Sequence, residues 1–141
     1  MKKALFYFLS LTWGLPMTLI GAIAILILKL TGHEVKKWGY CYYVETGRNW
    51  GGVNLGMFII TCRNATKHTR NHEHGHALQN CLWGTLMPFV IGIPSLIRYW
   101  YITFKVISDL DYRFDYDAIW FEGQATRWGT KFVNSLEGER R

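Results

Sequence analysis

The segment Asn71-His72-Glu73-His74-Gly75-His76-Ala77-Leu78-Gln79 contains the pattern H-E-x-x-H, formed by His72, Glu73 and His76. On a helix, residues four apart lie one turn apart on the same face, so both imidazoles can reach one metal ion. Glu73 would lie beside that ion, where its carboxylate can take a proton from a polarised water molecule. The segment therefore predicts a helix with a zinc site, in which His72 and His76 are ligands and Glu73 is the general base.

The residues around this motif also favour a helix. Asn64 and Thr66 are good N-cap residues, and no proline follows until Pro88. Glycine in a helix interior costs about 1 kcal/mol, so we expect backbone or substrate to pass close to Gly75. His74 is about 200° around the helix from the first histidine, at about 100° per residue, and we expect it on the surface.

The composition of the chain indicates one domain that is partly in contact with lipid. The chain has 141 residues, half of them hydrophobic, and 18% are charged, which is below the average of about 25% for soluble proteins. The net charge of +6 could suggest nucleic acid, but the basic residues are scattered and no nucleic-acid-binding signature is present. A basic surface that faces anionic lipid explains the charge better.

The stretch from Ala4 to Leu28 carries no charged residue. It is longer than the helix of about 20 residues that is needed to cross a bilayer core. It is also longer than the apolar region of a signal peptide, roughly 7–15 residues, and no A-x-A site closes it. We therefore expect a retained N-terminal transmembrane helix, kinked at Pro16.

Two strands are predicted between this anchor and the motif. Trp38–Val44 is rich in aromatic residues, Glu45–Gly52 has the composition of a turn, and Val53–Cys62 forms the second strand. Strands this close in sequence most simply pair antiparallel. The hairpin could bind an extended peptide at its exposed edge, or it could be purely structural.

The cysteines are expected to be free. The three cysteines, Cys41, Cys62 and Cys81, include no C-x-x-C pair, and an odd number cannot form a closed set of disulfides. Buried thiols are the favoured interpretation. A contact between Cys41 and Cys62 across the paired strands remains open.

A mononuclear catalytic zinc site needs a third protein ligand. The acidic residues downstream of the motif are Asp109, Asp111, Asp115, Asp117 and Glu122. Glu122 is favoured because it lies among aromatic residues in a predicted amphipathic helix, Ala118–Asn134, where an unpaired carboxylate would be costly. On spacing alone, an ordinary surface glutamate is an equal alternative.

The motif helix together with Trp120–Gly129 resembles the gluzincin class of metallopeptidases. In that class a glutamate on a second helix, in an E-x-x-A or E-x-x-x-D context, completes the site, and the matching residues here are Glu122-Gly-Gln-Ala125. The chain also resembles small bacterial membrane proteins that pair an H-E-x-G-H-x-x-Q helix with a G-x-P-S-L stretch, here Gly92–Leu96. The resemblance implies that His72, His76 and Glu122 hold Zn²⁺.

The chain departs from the gluzincin pattern at one position. Thr126 stands where the class often has an aspartate that supports the first histidine. One of the aspartates between residues 109 and 117 could take that role. Candidate donors to the oxyanion of the reaction are Tyr112, Tyr116 and Arg127.

The shared metal ion restricts how the chain can cross a membrane. A single crossing between the motif and Glu122 would separate the ligands by roughly 30 Å. The apolar stretch from Leu82 to Phe104 must therefore fold back or lie in the core, and Pro88, Gly92 and Pro94 favour a broken helical hairpin joined near Gly92. The basic residues that follow the anchor outnumber Lys2 and Lys3, which favours a cytoplasmic site.

These observations predict a mainly α fold with a small antiparallel β-hairpin, in the α+β class. Residues 1–30 form the N-terminal membrane anchor, residues 31–134 form a minimal zincin-like metallopeptidase domain, and residues 135–141 form a polar tail. The expected activity is zinc-dependent hydrolysis of peptide bonds at a membrane, so the expected partners are a peptide or protein substrate and membrane lipid, without nucleic acid.

Two alternatives are kept. A site-2-type intramembrane protease also carries H-E-x-x-H, but it takes its third ligand from an L-D-G motif, and the nearest sequence here is Asp109-Leu-Asp111. The other is a small non-catalytic membrane protein with structural or metal-binding histidines. Metal analysis separates that alternative from both enzymes.

Overall fold

A computed structural model describes residues 1–109, 113, 115 and 118–139. The helices are α1 (Lys3–Leu11), α2 (Leu15–Leu30), α3 (Lys67–Trp83), α4 (Ile93–Ser108) and α5 (Trp120–Gly138). The strands are β1 (Lys36–Trp38), β2 (Cys41–Glu45), β3 (Gly52–Leu55) and β4 (Phe58–Thr61). A 3₁₀ turn (Gly84–Leu86) and a π-helical turn (Pro88–Gly92) connect α3 to α4. The fold is mainly helical with a small sheet, so the predicted α+β class is confirmed.

The sheet has four strands in the order β1-β2-β4-β3, and this corrects the predicted two-stranded hairpin. Both predicted strands are interrupted by a glycine with positive φ, Gly39 (φ 60°) and Gly56 (φ 68°). Each therefore folds into a tight antiparallel hairpin with a two-residue loop. The two hairpins join through β2 and β4, which pair in parallel. β3 is left at the edge of the sheet.

The N-terminal apolar stretch is divided in two, so the predicted single transmembrane helix is not formed. α1 and α2 meet at an angle of 91°. Gly14 lies at the junction, where a β-carbon would overlap the side chain of Asn80. Pro16 lies in the first turn of α2, where its missing N–H breaks no hydrogen bond, so it begins a helix rather than kinking one.

α3 begins at the predicted N-cap. The Thr66 hydroxyl accepts a hydrogen bond from the backbone N–H of Thr69 at 3.2 Å. Glycines bring α3 and α5 together, because a β-carbon on Gly75 would overlap the backbone of Ala125, and one on Gly129 would overlap the carbonyl of Asn71. The close backbone approach expected at Gly75 is therefore confirmed.

The second apolar stretch forms one continuous helix, Pro88–Ser108, which we call the apolar helix. The predicted hairpin joined near Gly92 is therefore wrong. Pro88 and Pro94 each lie in the first turn of a helical segment, where proline is tolerated, and the chain turns instead at Gly84 (φ 54°). By length and composition, this helix could cross a membrane; among the described residues, the bent α1–α2 pair meets the same criteria only if counted as one span.

The C-terminal helix is longer than predicted. α5 runs four residues past Asn134, to Gly138, so the first part of the predicted polar tail is helical. Its end contacts the start of α3 through an ion pair of 2.6 Å between Lys67 Nζ and Glu137 Oε2. Both side chains are about half exposed, so the ion pair adds little stability.

The main hydrophobic core joins α1, the sheet and α3. Its buried members are Phe6, Cys41, Tyr43, Ile59, Ala77 and Cys81. All three cysteines are buried and free, as predicted, and no disulfide links Cys41 to Cys62. A smaller cluster of Met87, Ile91 and Phe121 packs the start of the apolar helix against α5.

Candidate metal centre

The two motif histidines face the same point. The Nε2 atoms of His72 and His76 are 3.1 Å apart. Glu122 of α5 completes the group, because its Oε2 lies 3.1 Å from His72 Nε2 and 3.2 Å from His76 Nε2. All three side chains are buried. The structure thus brings together the three residues that the sequence predicts as ligands, and this group could hold a metal ion.

Gln79 fixes the orientation of His76. Its Nε2 donates hydrogen bonds to the backbone carbonyl of Phe121 at 2.8 Å and to Gln124 Oε1 at 2.9 Å. A backbone carbonyl only accepts, so the amide oxygen of Gln79 must face His76 Nδ1, 2.7 Å away. Nδ1 therefore carries a proton, and in the neutral imidazole the Nε2 lone pair points into the group.

Thr126 supports His72. Its hydroxyl lies 2.8 Å from His72 Nδ1, one helical turn beyond Glu122. The sequence analysis suggested that an aspartate between residues 109 and 117 could support the first histidine. In the structure Thr126 itself makes this contact. Supporting partners of this kind set the ring orientation of metal-binding histidines.

Ser95 holds the other oxygen of Glu122. The Ser95 hydroxyl donates a hydrogen bond of 2.6 Å to Glu122 Oε1, while Oε2 faces the histidines. Burial raises the pKa of Glu122, but the hydrogen bond from Ser95, and those from His72 and His76 whenever their Nε2 atoms are protonated, lower it by more, so the net shift is downward. The carboxylate is therefore ionised and presents one oxygen to the group. Our sequence reasoning missed Ser95, although it belongs to the G-x-P-S-L stretch.

The geometry and donor chemistry of the group fit a metal ion. Donors about 2.0–2.1 Å from a tetrahedral ion lie about 3.3 Å apart, close to the 3.1 and 3.2 Å observed here. Without a cation, lone pairs and a carboxylate would face one another in a buried space, which is costly. Protons could also relieve this repulsion. Burial lowers the pKa of His76, but the hydrogen bond to Glu122 and the nearby carboxylates raise it by more, so the net shift is upward.

Glu73 lies beside the group and against the edge strand. A β-carbon on Gly52 would lie 2.8 Å from Glu73 Oε1, so the glycine makes room for this carboxylate. Burial raises the pKa of Glu73, and the neighbouring carboxylate of Glu122 adds to the rise; the opposing attraction to the two histidines does not cancel it. A carboxylate with a raised pKa accepts protons better near neutral pH.

A cleft of about 360 Å³ opens onto the site. Its walls come from β3, from Glu73 and His76, and from Ile91, Ser95 and Leu96 of the apolar helix. Among the described residues that line it, Glu73 is the only one with a carboxylate, and no lysine or arginine is present. The cleft is therefore mainly apolar apart from the site itself.

The structure corrects the prediction for His74, which is completely buried. Its ring stacks between Phe6 and Phe132, and its Nε2 accepts a hydrogen bond of 3.1 Å from the backbone N–H of Tyr40. Burial lowers the pKa of His74 to about 4, so it is neutral at pH 7. The prediction failed because α3 is covered by α1 and the sheet as well as by α5.

The structure does not bring the other described candidates into the ligand group or the cleft lining. Asp109 and Asp115 lie outside the ligand group, and Arg127 is exposed and does not line the cleft. Asp111, Tyr112, Tyr116 and Asp117 lie outside the described residues. Tyr99, which the sequence analysis did not consider, lines the cleft.

Comparisons with models of protein families, with curated proteins and with solved structures gave no match to this chain.

Proposed function

We propose that the chain is a membrane-associated, zinc-dependent metallopeptidase. The observation that carries the proposal is the convergence of His72, His76 and Glu122, with Glu73 beside them in a cleft. Two imidazoles and one carboxylate are a ligand set that catalytic zinc uses, and three protein ligands leave one position for water or substrate. The tautomer that Gln79 imposes on His76 supplies the free lone pair that a ligand needs.

The residues around the site have the properties that hydrolysis requires. Bound zinc would polarise a water molecule and lower its pKa toward about 7. Glu73, which is buried beside the group, would take the proton from this water while the hydroxide adds to the peptide carbonyl, and would pass it to the leaving amine as the C–N bond breaks. Ser95 keeps Glu122 in place through Oε1, and this leaves Oε2 to face the metal position.

The substrate is proposed to be an extended peptide with apolar side chains. β3 is an edge strand and forms one wall of the cleft, so a peptide can pair with its free backbone groups. The cleft offers no charged partner other than Glu73. Large uncharged side chains on both sides of the scissile bond therefore fit best.

Membrane association is proposed from the exposed apolar surface. Large hydrophobic residues of α1, α2 and the apolar helix are widely exposed, and only 6% of the apolar helix's most hydrophobic window is buried. Contiguous exposed apolar patches rimmed by polar residues mark protein or membrane interaction sites.

The test is peptide hydrolysis by the Glu73→Gln variant in detergent or lipid, compared with wild type. Hydrolysis should fall by at least about a hundredfold, the usual contribution of a general base, while bound zinc stays unchanged. Glu139→Gln, the same change at an exposed residue of the chain's end, should behave as wild type. Cleavage by Glu73→Gln at the wild-type rate would exclude the catalytic role, and zinc binding without turnover in wild type would favour the non-catalytic alternative.

A further inference from the structure

The apolar helix has two different faces. One face meets the protein, where Ile91 packs against α5, Ser95 bonds to Glu122 and Ile102 is buried. The other face is exposed, with accessible fractions of 68% for Phe89, 63% for Trp100 and 72% for Phe104. The inner face contributes to the candidate site through Ser95, whereas the exposure of the apolar outer face has no role in that site.

The chain that follows the apolar helix returns along its inner face. Arg98 Nη2 donates a hydrogen bond of 2.6 Å to the backbone carbonyl of Asp115, and the contact between Ser95 and Glu122 follows further back along the helix. Asp115 therefore lies beside the middle of the apolar helix, and Glu122 lies beside a residue nearer its start. The sequence from Ser108 to Trp120 contains Asp109, Asp111, Asp115 and Asp117.

This return path conflicts with a helix that crosses the bilayer. If Pro88 and Ser108 lay on opposite sides, the aspartate-rich segment would have to cross the apolar layer to bring Glu122 back to Ser95. Each aspartate at mid-membrane costs about 2.5–3.5 kcal/mol on insertion scales. A helix that lies parallel to the membrane surface avoids this cost.

The exposed face also has the composition of a membrane interface. Tyr99, Trp100 and Tyr101 are all exposed on the apolar helix, and tyrosine and tryptophan concentrate where the apolar layer meets the headgroups. Lys105 and the net charge of +6 suit anionic headgroups. Lipid therefore fits this face better than a second copy of this chain, because two copies would carry the same net positive charge.

We propose that the apolar helix lies in the plane of the membrane, half embedded, and that the chain is held on one face of an anionic bilayer by it. Leu96 and Tyr99 are partly exposed on this helix and also line the cleft. The mouth of the cleft is then at the lipid boundary. This second part rests on the proposed function, and it makes the substrate a polypeptide that is itself attached to the membrane.

The first test uses one cysteine in the 3₁₀ turn that precedes the apolar helix and one at the last residue of that helix. Thr85→Cys and Ser108→Cys are both at exposed positions, and the native cysteines are buried. In sealed membrane vesicles of one orientation, a membrane-impermeant maleimide should label both variants or neither. Labelling of one variant only would overturn the proposal, because it would place the two ends on opposite sides.

The second test measures depth. A fluorophore attached at Phe89→Cys or at Phe104→Cys, positions separated by about 22 Å along the helix, is quenched by brominated lipids in vesicles of phosphatidylglycerol and phosphatidylcholine. An in-plane helix gives equal quenching, strongest for lipids brominated near the headgroup. Graded depths would show a crossing helix, and absence of quenching at both positions would show that lipid does not cover this face; either result overturns the proposal. Zinc content, measured on the same variants, reports on the metal centre separately.

Discussion

Hydrogen bonds at the Nδ1 atoms of His72 and His76 hold the two rings so that their Nε2 atoms face the candidate metal position. The amide of Gln79 cannot be reversed without placing its N–H groups against His76 and its oxygen against a carbonyl of α5. The orientation of one ligand thus depends on a residue that does not face the metal position.

This dependence gives the first prediction at the scale of single residues. Gln79→Leu should lower the affinity for zinc about 10- to 100-fold, the usual effect of losing such a partner. Gln79→Glu, which keeps an acceptor for His76 Nδ1, should lose less. The measurement is competition with a chromophoric chelator at fixed pH. Equal affinities in wild type and Gln79→Leu would show that the hydrogen bond does not set the ligand geometry.

Ser95 allows a matched comparison between two serines. Ser95→Ala removes the hydrogen bond to Glu122 Oε1 and leaves a buried carboxylate oxygen without that donor. A hydrogen bond to a charged group contributes about 1.5–3 kcal/mol, so zinc should bind roughly tenfold or more weakly. Ser135→Ala, at an exposed position of α5, removes only a local hydrogen bond to the backbone carbonyl of Phe132 and is the control. Identical zinc titrations for both variants would contradict the role given to Ser95.

The cysteines provide a prediction about reactivity. Burial raises the pKa of Cys41 well above its usual value, helped by the nearby Cys81, whose own pKa is also raised by burial. Since the thiolate is the reactive form, both should resist Ellman's reagent at pH 8 in the native protein. All three cysteines should react after unfolding. Rapid reaction of Cys41 in the native state, identified by mass spectrometry, would show that the core between α1 and the sheet is open.

At the scale of elements, the contact between α3 and α5 positions the site. Gly75 and Gly129 let the two helices approach closely enough for Glu122 to reach the histidines. His72 and His76, four apart on α3, face the candidate metal position, and Glu122 and Thr126 are four apart on α5. α3 therefore provides two candidate ligands and the supporting Gln79, and α5 provides one candidate ligand and the supporting Thr126.

A methyl group at this contact should displace α5. Gly75→Ala places a β-carbon against the backbone of Ala125, and overpacking of this kind costs about 1–3 kcal/mol. We expect a lower melting temperature together with weaker zinc binding. Gly138→Ala, at the end of α5 with no atom near the added carbon, should leave both unchanged. A Gly75→Ala protein with wild-type stability and zinc affinity would contradict the close packing.

Sequence reasoning succeeded where the signal was local and periodic. The α3 cap at Thr66 and the spacing of His72, Glu73 and His76 are properties of one helix. It failed where distant contacts decide the outcome. The break at Gly14 depends on Asn80, and the burial of His74 depends on Phe6 and Phe132. The sheet was misjudged because single glycines divided both predicted strands.

At the scale of the whole molecule, one requirement predicted from the sequence still holds. Bringing Glu122 to the histidines excludes a single crossing between them. The sequence suggested that a helical hairpin near Gly92 would satisfy this requirement. In the structure the apolar helix is unbroken, and Asp115, which follows it in the chain, lies beside Arg98 in the middle of that helix. Proline positions alone did not distinguish these solutions, because a proline in a first helical turn looks like a helix breaker in sequence.

The proposed membrane surface and the candidate metal centre lie on opposite faces of this helix. Ser95 contacts the candidate ligand Glu122 on its inner face, and Trp100 and Phe104 are exposed on its outer face. Replacing both outer residues with glutamate should weaken binding to vesicles of phosphatidylglycerol in a sedimentation assay. It should leave zinc stoichiometry in detergent unchanged. Loss of zinc without loss of vesicle binding would contradict this division of roles.

The account as a whole depends on one metal ion held by residues from two helices. The most direct measurement is the zinc content per chain of purified protein, for wild type, Glu73→Gln, His76→Ala and Glu122→Ala. We predict a single zinc ion per chain in the first two and a loss of most zinc in the last two, because these variants remove a ligand while Glu73→Gln does not. Full zinc content in Glu122→Ala, or none in wild type, would contradict the account.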